Sequence, residues 1–138
     1  MAFDIKTLIT DRTAADVASG TDKGYYNATD LNRVGAAVKY IAERFTVYGY
    51  AVAVSPKADW SESDTPTASQ METYRLNIAH LRAVIAIMAS TPETPETMRA
   101  LDYLKANDIE RILQDLDTLI TNIEQAWFFS GDLYAGET

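Results

Sequence analysis

Three stretches of this chain repeat one pattern of apolar positions. The first carries Leu31, Val34, Val38, Ile41, Phe45 and Tyr48, in steps of 3, 4, 3, 4 and 3. Met71, Tyr74, Ile78, Leu81, Ile85 and Met88 repeat those steps, and Ile109, Leu113, Leu116, Ile120, Ile123 and Trp127 follow in steps of 4, 3, 4, 3 and 4. Residues three and four apart stack on one side of an α-helix, so each series makes a continuous apolar seam. Leu76, Val84 and Ile87 widen the second seam, which predicts a helix buried on two sides.

Polar punctuation sets the boundaries. Asn27 and Thr29 both suit the first N-cap, Asp30 suits the positive helix end, and Gly49 is a natural stop. Thr65 or Thr67 caps the second helix, with Pro66 acceptable in its first turn. TPETPET (Thr91–Thr97) reads as a linker, because each proline disfavours helix at the residue before it. Met98, Leu101 and Leu104 predict a short helix, and Asn107 with Glu110 resembles a capping box that opens the third long helix.

The predicted long helices cover about 29–48, 66–90 and 107–128. Residues 1–28 form an N-terminal arm, with a brief helix capped by Asp11 or Thr13 and broken by SGTDKG. Tyr50–Val54 reads as a short extended piece over the bundle. Residues 129–138 form an aromatic C-terminal tail, in which Gly131 and Gly136 permit sharp turns. The expected fold is all-α: an antiparallel three-helix bundle spanning 29–128, with an arm before it and an ordered docking tail after it. The seams are broader than a strict two-position coiled-coil seam, which favours packing within one chain over packing between chains.

A chain of 138 residues suits one domain. Its net charge of −8 argues against nucleic acid, whose phosphates call for clustered Lys and Arg. From Ile112 onward there is no Lys or Arg, so the last fifth of the chain is either a solubilising face or an acidic docking surface. The absence of cysteine excludes disulfides and thiolate metal sites. The longest purely apolar run, Ala83 to Ala89, is far short of a membrane span, and MAFDIKTLIT lacks the apolar stretch of a signal peptide.

Catalytic chemistry is poorly represented. His80 is the single histidine, so a histidine triad or multi-histidine metal site cannot form within one chain. DWSESD (Asp59–Asp64) gathers carboxylates but lacks the central glycine and distal Glu of an EF-hand loop. Asn27-Ala28-Thr29 matches a glycosylation sequon, but its residues serve as caps. No phosphate-binding loop, nucleophile elbow or zincin motif appears. The expectation is a protein without enzymatic activity, with no catalytic, metal or cofactor residues. Aromatic residues outside the seams, Tyr25, Tyr26, Trp60, Phe128, Phe129 and Tyr134, are the candidate interface, either capping the bundle ends or anchoring a partner.

Several stretches carry a resemblance. They are Tyr26-Asn27-Ala28-Thr29-Asp30-Leu31-Asn32-Arg33-Val34, Trp60, Asn107 with Ile109-Glu110, and Trp127 with Ser130-Gly131 and Tyr134-Ala135-Gly136-Glu137. Together they resemble a small helical domain of structural proteins of phages and prophages of Gram-positive bacteria, over most of the chain from about Leu8. The resemblance implies a virion structural protein of the tail, baseplate or fibre region, assembled in the bacterial cytoplasm. Its partners would be other virion proteins and copies of itself. Two alternatives stand beside it: a receptor-binding module for host cell-wall glycan, with Trp60 as foremost surface aromatic, and an acidic regulatory or inhibitory protein.

Overall fold

The computed structural model describes residues 3–20, 26–85, 90–98 and 101–137, with side chains followed to Ala126. Among these residues all regular structure is helical. A single 3-10 turn at Ile5–Thr7 precedes α1 (Ala14–Ala18), α2 (Ala28–Val47), α3 (Ala68–Arg82) and α4 (Tyr103–Glu137).

Local chemistry explains most of the boundaries. Thr13, Asn27 and Thr67 each form a reciprocal capping box, with Asp16, Asp30 and Gln70 respectively. Gly49, at φ +86°, ends α2 in the left-handed conformation that glycine adopts at least cost. The core is the predicted one in outline. Val34, Ile41, Phe45, Ile78, Leu81, Leu113, Leu116 and Ile120 are all buried. Leu76 departs from the expected stripe and is exposed.

Helix lengths differ from expectation in three places. α3 stops at Arg82, well short of residue 90, because the following linker folds back along it. Arg82 Nε donates to Pro92 O at 2.9 Å, and Arg75 Nη1 donates to Pro95 O at 3.4 Å. Met88 and Ile87 lie outside the described residues. Among the described residues no separate helix lies between the linker and α4, which begins at Tyr103 with the Asp102 carboxylate accepting from Lys105 N at 2.8 Å. Asn107 and Glu110 are therefore interior to α4 and are not a capping box. At the other end α4 runs through Gly131 and Gly136 to Glu137 with no break after Phe128.

The contacts also fix helix direction. Arg33 of α2 meets Glu110 of α4, and further along both helices Arg44 meets Asp117 and Glu124. These two helices run the same way. Beyond Gly49 the chain doubles back down α2: Tyr50 packs on Phe45, Lys57 passes Gly35, and Trp60 pairs with Asn32. That returning segment meets α3 with Ser55 at Asn77 and Ala53 at His80. Numbers rise along α3 as they fall along the segment, so α3 runs with α2. The expected antiparallel order is thus corrected to three helices pointing the same way.

Two connections of twenty residues, 48–67 and 83–102, carry the chain back to the starting end. Connections this long are uncommon unless they do structural work. Here the described part of each fills a groove between two helices. Residues 50–60 lie between α2 and α3. The second linker lies between α3, through Arg75 and Arg82, and α4, where Thr91 Oγ1 donates to buried Asp115 Oδ2 at 2.7 Å. The arm occupies the third groove: Phe3 packs on Tyr40 of α2, Ile9 N donates to Glu110 of α4, and Arg12 sits against both helices.

Candidate functional site

The arm is held by charge as well as by apolar packing. Arg12 Nη2 donates to Glu110 Oε2 at 2.5 Å and to Asp30 Oδ1 at 3.2 Å. Arg33 reaches the same two carboxylates, with Nη2 on Asp30 Oδ1 at 2.5 Å and Nε on Glu110 Oε1 at 2.6 Å. Glu110 is fully buried and also accepts from Ile9 N at 3.0 Å. Burial opposes the charge on Arg33, but hydrogen bonds to Glu110 and Asp30 outweigh it and hold its proton more tightly than usual. Two guanidinium groups balance two carboxylates, so the cluster is neutral overall. Each partner is committed, which suits a structural clamp and leaves no carboxylate free for proton transfer.

Beside the clamp, the hydroxyls of Tyr26 and Tyr74 hydrogen-bond to each other, and the Arg12 guanidinium lies 5.6 Å from the Tyr26 ring centre. Burial pushes both phenols above their ordinary pKa. The Tyr26 hydroxyl is thus tied into the fold, while the residue as a whole is half-buried.

Of the two readings of Trp60, packing against the bundle holds and the surface stacking platform of the glycan-binding alternative does not: Trp60 is only 8% exposed and belongs to the core. Its backbone is fastened by Asn32, whose Oδ1 accepts from Trp60 N at 2.7 Å and whose Nδ2 donates to Trp60 O at 2.8 Å. Lys57 Nζ covers the ring at 4.8 Å from its centre. The indole Nε1 is buried and finds no acceptor among the described residues.

Of the other candidate interface residues, Tyr25 lies outside the described residues. The side chains of Phe128, Phe129 and Tyr134 lie outside them too, although their backbone belongs to α4. His80 is exposed, as its place off the seam implied, and its Nδ1 lies 2.9 Å from Ala53 O. The Asp64 carboxylate accepts from Ser61 N at 2.8 Å, making a local turn in the DWSESD loop.

A second polar cluster closes the far end of the bundle. Arg44 reaches Asp117 and, at 2.9 Å, Glu124, whose Oε2 also accepts from the Tyr48 hydroxyl at 2.7 Å. Hydrogen bonds from Tyr48 and then Arg44 lower the Glu124 pKa. Sequence reasoning gave no structural role to the residues that organise these contacts: Arg12, Arg44, Asn77 and Asn32, the last named only within the stretch that carries the resemblance. The available signal was a polar side chain on or beside an apolar seam, as at Asn77 next to Ile78.

The fold and these clusters define an all-helical protein whose polar side chains fasten the arm and connections into the grooves between its helices. No described helix is long and apolar enough to cross a membrane. No family model, curated protein or solved structure matches this chain.

Proposed function

We propose that this chain is a non-enzymatic assembly module, a virion structural protein of the tail, baseplate or fibre region of a phage or phage-like particle. Copies of itself and other virion proteins are the partners in this reading. The resemblance of its Tyr26–Val34 and Trp127–Glu137 stretches to phage and prophage structural domains supplies the setting.

The observation that supports an adaptor role is the length of α4. Glu124 pairs with Arg44 and Tyr48 at the end of α2, yet α4 continues for thirteen more residues to Glu137. At 1.5 Å per residue that is about 20 Å of helix beyond the level where α2 ends. This segment holds Trp127, Phe128, Phe129 and Tyr134 and has no basic residue. Aromatic residues are favoured anchors at protein interfaces. A helix that outruns its bundle carries this stretch of chain toward a neighbouring subunit.

Deletion of residues 128–138 tests the reading. The shortened protein is expected to keep its thermal transition, because among the described side chains the last buried core residue is Ile120, while losing incorporation into particles. Normal incorporation of the folded, shortened protein would overturn the docking role.

A further inference from the structure

The grooves of the bundle are filled in two ways. Each return segment joins one long helix to the next, so it cannot leave its groove without moving both. The arm is joined to a long helix through residues 13–27, at the start of α2. Its fastening is concentrated between Leu8 and Arg12, which are 7% and 4% exposed. By contrast α1, which lies between Arg12 and α2, buries no residue.

Residues 8–12 lie in their groove as a peptide without regular structure, held by side chains of the bundle. Asn107 bonds both backbone groups of Arg12, and Glu110 accepts from Ile9 N. The groove is prepared for this occupant from within. Arg33 of α2 bonds Asp30 and Glu110 without any help from the arm, so both carboxylates stay oriented when Arg12 leaves. One guanidinium then faces two carboxylates. The vacated groove carries an uncompensated buried negative charge, which favours return of a second guanidinium.

We infer that this groove also accepts the arm of a second copy of the chain, whose Arg12 enters the clamp of its neighbour in exchange. The exchange rests on the reading of this chain as a self-assembling module, but not on its setting in a particle or on the end of α4. A second arm presents the same atoms, so every contact in the groove is kept and only the tether changes. Exchange of an identical element between protomers is a low-cost route to dimers. Residues 13–26, which separate Arg12 from Asn27, span up to about 45–50 Å when extended, several helix diameters. A short tether holds the arm at an effective concentration on the order of 1 mM. The chain therefore keeps its own arm in dilute solution and exchanges it where copies are crowded together.

Two variants of the full chain separate arm from groove. Arg12→Met removes the charge of the arm and leaves the groove intact, whereas Asn107→Ala removes the clamp on the Arg12 backbone and leaves the arm intact. Each alone is expected to sediment as a monomer at about 50 µM, far below the effective concentration of the tether. Mixed in equal amounts, they are expected to form a complex of twice the mass, because the intact arm of one finds an intact groove only on the other. Wild type carries the test if either variant does not fold by circular dichroism. Isotope-labelled and unlabelled chains, unfolded together in urea and refolded at about 1 mM, are expected to give a dimer. Its mark is an intermolecular nuclear Overhauser contact between the rings of Phe3 and Tyr40, whose centres lie 5.8 Å apart. No complex in a mixture of the folded variants, an equal complex in either variant alone, or no intermolecular Phe3–Tyr40 contact in refolded wild type would each overturn the exchange. None of these results bears on the deletion of 128–138, so the two readings fail separately.

Discussion

Asn77 of α3 holds Ser55 by both of its backbone groups. Ser55 N donates to Asn77 Oδ1 at 2.9 Å, and Asn77 Nδ2 donates to Ser55 O at 3.1 Å. A carboxamide offers a donor and an acceptor side by side, so one asparagine satisfies a residue that would otherwise need a neighbouring strand. The arrangement recurs on the other two long helices. Asn32 of α2 holds Trp60 in this way, and Asn107 of α4 holds Arg12, with Arg12 N on Oδ1 and Nδ2 on Arg12 O, both at 3.0 Å. Three asparagines thus fasten the first return segment and the N-terminal arm to three parallel helices.

Asn77→Ala leaves the Ser55 backbone groups without these partners beside a buried surface. Stability is expected to fall by about 1–3 kcal/mol. Urea unfolding followed by circular dichroism measures it. An Asn77→Ala variant as stable as wild type would show that water replaces the clamp at no cost.

Gly35→Ala places a methyl carbon 2.0 Å from Lys57 O, which is backbone and cannot swing aside as a side chain would. Alanine ordinarily favours a helix interior over glycine by roughly 1 kcal/mol. Here the sign reverses, and the return segment must move off α2. The expected loss is about 1–3 kcal/mol, together with a change in Trp60 fluorescence as Lys57 shifts. Enhanced stability in the alanine variant would contradict the close approach.

Glu110→Gln keeps the shape of the buried side chain but removes the charge that faces Arg12 and Arg33. Breaking one partner of a buried ion pair typically costs about 3–5 kcal/mol, because the remaining charges are left uncompensated. The arm is expected to loosen first. Proteolysis between residues 13 and 28, or faster amide exchange at Ile9 and Arg12, reports it. Unchanged exchange at both amides would mean that the clamp does not hold the arm.

The tyrosine pair predicts behaviour at high pH. The Tyr26 and Tyr74 pKa values are raised by burial, so the native state keeps both phenols neutral where an unfolded chain begins to ionise. Their stability contribution is complete below about pH 10, the unfolded value, and is lost as pH rises toward the folded values. Wild type should therefore lose stability between pH 10 and 11, and a Tyr26→Phe, Tyr74→Phe variant should lose less over the same interval. Glu124 acts in the opposite direction. Its lowered pKa gives stability above the unfolded carboxylate value that disappears as acid titrates the folded state, loosening its contacts with Tyr48 and Arg44. Denaturant midpoints across the pH range check both ends.

Much of the fold was legible residue by residue. The seam positions from Leu31 to Phe45 and from Ile109 to Ile120 are the buried ones, because burial of one helix face imposes a 3.6-residue period on the sequence itself. Caps at Thr13, Asn27 and Thr67 were legible because they are short-range bonds between residues three apart. The candidate site was less so. Trp60 looked free because it stands in a polar loop, and its burial depends on Asn32, 28 positions away. Asn107 and Glu110 imitated a local capping box while serving the distant arm, and nothing in a three-residue spacing separates those two uses.

The sequence by itself determined that this protein is helical, which faces its helices bury, and where most of them begin. Those properties follow from spacing and from hydrogen bonds within a single turn. Only the tertiary structure decided that the three long helices point the same way. An apolar seam reads alike in either direction, so seam spacing carries no orientation. Orientation was settled by long-range polar pairs: Arg33 with Glu110 and Arg44 with Asp117 join α2 directly to α4, and Asn77 with Ser55 holds the first return segment against α3.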